Sequence, residues 1–79
     1  MNKEEIFKLI TRHTVEIIPE LAAHPFSGSD SLHELGANSI DRAEIWMLTL
    51  ESLSLNVPLI EMARAKNIQE LVDILHTKL

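Results

Sequence analysis

The stretch ELGANSIDRAEI, residues 34–45, contains the clearest helix start in the chain. Asn38 suits an N-cap position, because its side-chain oxygen can accept hydrogen bonds from the free N–H groups of a helix's first turn. Asp41 follows three residues later and completes a capping-box pattern. The stretch therefore predicts a helix that runs to about residue 54 and has the Ser39 hydroxyl at its N-terminus.

A first helix is indicated near residues 3–18. Asn2 and Glu5 form a second capping-box pattern, and apolar residues follow at helical spacing until Pro19 ends the run. Residues 19–37 break this pattern, and a loop of this length is uncommon in a compact domain unless it has a function. We expect its regularly recurring apolar residues to contact the core: Leu21, Phe26, Leu32 and Leu35.

Two more helices are indicated towards the C-terminus. The segment SLSLNVPL alternates like a strand, but the chain offers no second strand to pair with it, so we interpret it as a loop. Pro58 can open a short helix to about residue 65, and Asn67 with Glu70 resembles a third capping box before a last helix. The sequence thus predicts an all-α fold of four helices, of which the third is short.

Length and composition limit what the chain can be. Its 79 residues are expected to form one domain, 1–79, and such a small domain offers little room for a deep enzymatic cleft. The chain has no cysteine, signal-peptide pattern, membrane-spanning apolar run or linker tail. We therefore expect a free-standing cytoplasmic protein.

Negative charge is concentrated in the middle of the chain. The net charge is −5, and residues 30–61 contain six acids but only one base, Arg42, whereas the rest of the chain is balanced. Such a cluster is either a solvated face or a docking surface for basic partner proteins. Its sign argues against nucleic-acid binding, because phosphate contacts need positive charge.

The residues do not form a metal centre or a catalytic triad. None of the four histidines lies four residues from another, and they fall in different predicted elements, so we expect no metal site. Ser, His and Asp are all present, but GANSID lacks the G-x-S-x-G spacing of a hydrolase nucleophile. We therefore expect that the protein is not an enzyme.

Ser39 has two interpretations. With Asn38 it can be a capping residue that has no further role. Alternatively, its hydroxyl lies where another enzyme's active site could reach it, and the N–H groups and dipole of the helix would favour a phosphate attached there. The residues alone leave both interpretations open.

The chain resembles an acyl carrier protein over essentially its whole length. It has LGANSI where that family has the pattern L-G-x-D-S-L, and the motif lies within a similar layout of four predicted helices. The resemblance implies that a phosphopantetheinyl transferase attaches 4′-phosphopantetheine from coenzyme A to Ser39, and that its thiol holds acyl groups as thioesters. Asn38 and Ile40 depart from the family's usual Asp and Leu, and PLIE replaces an acidic opening of the third helix. Docking at that helix is therefore expected to be more apolar than in a fatty-acid carrier.

The run GANSIDRAEI, with LSL, PLIE and AKNIQELVD later, is similar to free-standing donor carriers of polyketide β-branching cassettes. The similarity implies that an acyltransferase loads malonyl and a ketosynthase-like decarboxylase converts it to acetyl. A hydroxymethylglutaryl-synthase-like enzyme then receives the acetyl group.

The alternatives are a general fatty-acid or polyketide chain carrier, and a helical interaction module without a prosthetic group. We expect a monomer that binds no membrane.

The second helix has more apolar residues than one face requires. In one arrangement Ile45, Trp46 and Leu53 face the core. In the other Ile40, Ala43 and Met47 do, which leaves Ile45 and Leu48 outside, and periodicity does not decide between the two. The resemblance favours the first and implies that partners dock on six residues: Ile40, Asp41, Ala43, Glu44, Met47 and Glu51. We also expect Trp46 in the core, where with Met47 it would leave little room for a long acyl chain.

Overall fold

The computed structural model describes residues 1–79 and contains four α-helices and no strand. The helices are α1 (Lys3–Ile17), α2 (Ser39–Leu53), α3 (Leu59–Met62) and α4 (Ile68–Thr77), and a 3₁₀ turn covers Pro19–Leu21. This architecture confirms the predicted all-α fold, including the long first loop and the short third helix. None of the helices combines the length and the apolar character that crossing a membrane requires.

Both predicted capping boxes at α1 and α2 are formed. At α1, the Asn2 side chain accepts the Glu5 N–H at 2.8 Å, and the Glu5 carboxylate accepts the Asn2 N–H at 3.0 Å. At α2, Asn38 and Asp41 exchange the same two bonds at 2.8 and 3.2 Å. Because residues three apart make these bonds, the local sequence is sufficient to start both helices.

The last two helices differ from the prediction in detail. Asn67 caps α4 by accepting the Glu70 N–H at 2.8 Å, but the Glu70 carboxylate accepts the N–H of Lys66 instead of that of Asn67. The reciprocal half of this capping box was therefore predicted wrongly. Helix α3 ends at Met62 rather than near residue 65, because the N–H groups of residues 64 and 65 already bond to carbonyls three residues back.

The helices pack around one apolar core. Helix α1 contacts both α2 and α4, and the short α3 bridges α2 and α4. The buried apolar side chains come from every helix and from the loops between them: Ile6, Ile10, Leu32, Ala37, Ile45, Leu50, Val57, Met62, Ile68, Leu71, Val72 and Leu75. Burying a Val, Leu, Ile or Met side chain contributes about 1.5 to 3 kcal/mol relative to leaving it exposed, so this core is the main favourable term that offsets the loss of chain entropy on folding.

The long loop is anchored to the core and to the start of α4. Leu32 is buried and Phe26 packs against the core, as predicted, but Leu21 and Leu35 are only partly covered and lie outside the core cluster. The backbone carbonyls of residues 30 and 28 accept the N–H groups of residues 68 and 69, each at 2.9 Å. These donors belong to the first turn of α4 and have no partner within the helix. The loop thus completes the capping of α4.

Asp30 also stabilises the loop through its side chain. Its carboxylate accepts the Ser27 N–H at 2.8 Å and lies 3.0 Å from Nε2 of His24. The Ser27 N–H, and after it the His24 ring, hold the pKa of Asp30 below its usual value of 3.8. A lowered pKa in the folded state means that the stabilisation is present above pH 3.8 and is lost as the pH falls through the folded-state value.

We therefore expect the urea midpoint of the protein to fall as the pH is lowered from about 5 to about 2. Asp30→Asn should lower the midpoint at neutral pH and make this pH dependence shallower, because the substituted amide does not titrate. Part of the dependence should remain, since the Lys3 ammonium and the Gln69 amide also lower the pKa of Asp73. An unchanged slope in Asp30→Asn would contradict the assignment.

Candidate functional site

Ser39 is the first residue of α2, and its side chain is exposed. Gly36 turns the chain just before it with φ +104°, a conformation that side-chain-bearing residues rarely adopt. Ala37 is buried and Asn38 caps the helix. The Ser39 hydroxyl is therefore held at the surface on a rigid helix start, beside the N–H groups of the first turn.

Arg42 ties the start of α2 back to the long loop. Its Nη1 donates to the carbonyl oxygen of Ala37 at 2.7 Å and to Nδ1 of His33 at 3.0 Å. Because Nδ1 accepts this bond, the proton of the neutral His33 ring lies on Nε2. Sequence reasoning counted Arg42 only as a charge and missed this contact, for which no local spacing gives a signal.

The acidic region is smaller than the sequence predicted. Asp30 is held by His24, and a carboxylate oxygen of Glu61 lies 3.1 Å from Nζ of Lys78. By contrast, Glu44 and Glu51 are exposed, with no Lys, Arg or His nitrogen within 4.0 Å. Uncompensated negative charge on α2 is therefore concentrated along the exposed side of this helix.

The structure decides which side of α2 faces the core. Ile45 is completely buried, whereas Ile40 and Met47 are 68% and 50% exposed. Ala43 lies between these two and is partly buried. Ile40, Glu44, Met47 and Glu51 recur at intervals of four, three and four residues, so they form one exposed stripe. We call the stripe, together with Asp41 and Ala43, the α2 face.

Helix α3 also has an exposed apolar side chain. The sequence predicted an apolar third helix without choosing a residue, and the structure identifies Ile60, which is 72% exposed. Its neighbours Leu59 and Met62 point towards the core. Helix α3, which packs against α2, therefore presents one exposed apolar side chain of its own.

A cleft of about 340 Å³ opens between the long loop, α2 and the segment that joins α3 to α4. Trp46 lies on its wall, so the prediction of a core tryptophan is only partly right: the indole packs against the core and is half-buried. Met47 lies outside on the surface, so the predicted filling of the interior by this residue is wrong. Arg42 and Lys66 also line the cleft, which sequence reasoning did not find.

No three His, Asp or Glu side chains in residues 1–79 are grouped as metal ligands would be. A scan against protein-family models finds no match.

Two known proteins are closely similar to this chain. The polyketide biosynthesis acyl-carrier-protein AcpK of Bacillus subtilis (strain 168) is 47% identical over 78 residues, which are 99% of this chain and 95% of the relative. The crystal structure of the curacin biosynthetic pathway HMG synthase in complex with acetyl donor-ACP contains a chain that is 51% identical, with a TM-score of 0.94. The match covers 99% of this chain and 100% of that chain.

Both similarities extend over nearly the whole chain and over its fold. Acyl carrier proteins are carriers on which partner enzymes act, so the prediction that this chain is not an enzyme is confirmed. The four-helix architecture, the exposed serine at the start of α2 and an identity of 47% over 78 residues lead to one conclusion: the chain belongs to the acyl carrier proteins.

Proposed function

We propose that this chain carries a short acyl group, malonyl and then acetyl, and donates acetyl to an HMG-synthase-like enzyme during polyketide β-branching. The observation that carries this proposal is the similarity, at 51% identity and a TM-score of 0.94, to a chain of the HMG synthase complex with acetyl donor-ACP. The similarity to a polyketide carrier along 99% of the chain supports the same pathway type.

Ser39 is the proposed attachment residue for 4′-phosphopantetheine. In the attachment step, the Ser39 oxygen loses its proton and bonds to the phosphorus that carries pantetheine in coenzyme A. The pyrophosphate P–O bond breaks, and adenosine 3′,5′-bisphosphate leaves. Phosphopantetheinyl transferase supplies the catalysis. The capped, exposed start of α2 suits this reaction, because the transferase can reach the hydroxyl without unfolding the helix. The free N–H groups and the helix dipole favour the negative phosphodiester that results.

The α2 face is the proposed docking surface for the enzymes that act on the arm. These are the transferase, an acyltransferase, a ketosynthase-like decarboxylase and the HMG-synthase-like enzyme. Glu44 and Glu51 carry negative charge that no base of the chain compensates. Ile40 and Met47, on the same stripe, offer apolar contact. Charge of this kind raises the association rate and orients the partner, while apolar contact adds affinity.

The donor role is tested by following the acetyl group. We expect acetyl loaded on the arm to pass to the HMG-synthase-like enzyme and then to a β-ketoacyl acceptor carrier, with both carriers read by intact mass. The matched control is a generic fatty-acid carrier loaded with the same group. If acetyl stays on this chain while the generic carrier transfers it efficiently, the donor role is refuted and only the more general function of an acyl carrier is supported.

Docking is tested by reversing charge on the α2 face. Exposed ion pairs contribute about 0 to 1 kcal/mol each, so Glu44→Ala should weaken binding to the HMG-synthase-like enzyme by a factor of about five at most. Glu44→Lys should weaken it more, because it adds repulsion. The matched control is Glu20→Lys, because Glu20 is an exposed acid of the 3₁₀ turn, which contacts α1 and not α2. Equal Kd values for Glu44→Lys and Glu20→Lys at low salt would place the docking surface elsewhere.

A further inference from the structure

The charge of the cleft is opposite to that of the protein as a whole. The chain has 12 acids and 7 bases, yet none of the 10 residues that line the cleft is acidic. Four of the seven bases have a carboxylate oxygen within 4.0 Å: Lys3, Lys8, Arg12 and Lys78. Of the three that have none, Arg42 and Lys66 line the cleft and Arg64 does not.

The neutral polar groups of the cleft also favour an acceptor as the ligand. His33 carries its proton on Nε2, because its Nδ1 accepts from Arg42. The side-chain oxygen of Asn67 accepts the Glu70 N–H, which leaves the amide N–H groups free to donate. Ser31 Oγ accepts the Glu34 N–H at 3.3 Å, which leaves its own proton to donate. Cations and donors together suit a carboxylate.

The position of the cleft suits a group carried on Ser39. Ser39, Arg42 and Trp46 are spaced three and four residues apart, so they follow one side of α2. The helix rises 1.5 Å per residue, which makes the path from Ser39 to Trp46 about 10 Å long. The volume of about 340 Å³ is at the lower end of the usual range for ligand pockets, so the cleft fits a small group.

From these observations we infer that the cleft holds the malonyl group on the chain's own arm, with the free carboxylate at Arg42 and Lys66 and the thioester end against Trp46. This inference rests on the proposed function. Decarboxylation breaks the bond between the α-carbon and the carboxyl carbon, CO₂ leaves, and the α-carbon takes a proton. The acetyl group that remains has no charge for the cleft to hold. Loss of the carboxylate therefore releases the arm for transfer.

The test compares three forms of the protein by NMR: the free thiol, acetyl and malonyl forms of the holo-carrier, each first verified by intact mass. We expect the malonyl form alone to shift the Trp46 indole and the backbone amides of residues 63–67. Lys66→Gln should reduce these shifts by a factor of about two or more, since it removes one of two cations. Arg64→Gln is the matched control, a nearby base outside the cleft, and should leave the shifts unchanged.

Several results would overturn the inference. Equal shifts in the acetyl and malonyl forms would mean that the cleft does not recognise the carboxylate. Equal shifts in all three forms relative to the unmodified protein would point to the phosphodiester as the anion that is held. If Lys66→Gln and Arg64→Gln reduce the shifts equally, the shifts depend on the overall charge of the protein rather than on a cation in the cleft. If no adduct forms on Ser39, the proposed function fails as well, whereas a malonyl adduct without cleft shifts refutes this inference alone.

Discussion

Ser39→Ala should abolish attachment of the pantetheine arm completely. The substitution removes the only oxygen that can bond to phosphorus at this position, and every later acyl transfer depends on the arm. The measurement is the intact mass after incubation with coenzyme A and a broad phosphopantetheinyl transferase. The wild-type protein should gain one adduct and the variant none.

The Ser39→Ala variant should remain folded, which makes the loss of the adduct interpretable. The cap of α2 is Asn38, whose side chain is untouched, so the change in unfolding free energy should be within about 0.5 kcal/mol. Ser29→Ala is a matched control, since Ser29 is an exposed serine whose hydroxyl hydrogen-bonds to that of Ser27. An adduct that survives Ser39→Ala, or one that Ser29→Ala removes, would refute the assignment.

Ile45→Ala should reduce the stability by about 2 to 5 kcal/mol, the second largest effect that we expect. Ile45 is completely buried in the core between α2 and its neighbours, so its truncation leaves a cavity. The free energy of unfolding of natural proteins is about 5 to 15 kcal/mol in total, so this loss is a large part of the stability. The measurement is urea unfolding followed by the fluorescence of Trp46, the single tryptophan.

Ile40→Ala is the matched control for Ile45→Ala. It makes the same chemical change in the same helix, but the Ile40 side chain is 68% exposed. Its unfolding free energy should therefore change by no more than about 0.5 kcal/mol, while binding to partner enzymes weakens. If Ile45→Ala unfolds the protein too far to measure, Ile45→Val should still cost about 0.5 to 1.5 kcal/mol. Equal losses of stability in Ile40→Ala and Ile45→Ala would contradict the orientation of α2.

The start of each long helix and the place of Ser39 could be predicted from the sequence alone. The caps at Asn2, Asn38 and Asn67 depend on bonds between residues three apart, so a short stretch of chain contains the information. The family resemblance depends on the stretch around Ser39 together with the four predicted helices, and the similarity to known carriers confirms it. The role of Ser39 as attachment residue stays a prediction.

Periodicity left the orientation of α2 open, although the family resemblance favoured the observed one, and the charge of the site was decided only by the tertiary structure. Ile40 and Ile45 are equally apolar, and the packing of α2 against α1 and α3 is what buries one and exposes the other. Glu61 is compensated by Lys78, and Arg42 and Lys66 meet at one cleft, although neither pair is close in sequence. The physical reason is that hydrogen bonds within one helical turn are local, whereas burial and ion pairing depend on segments that only the folded chain brings together.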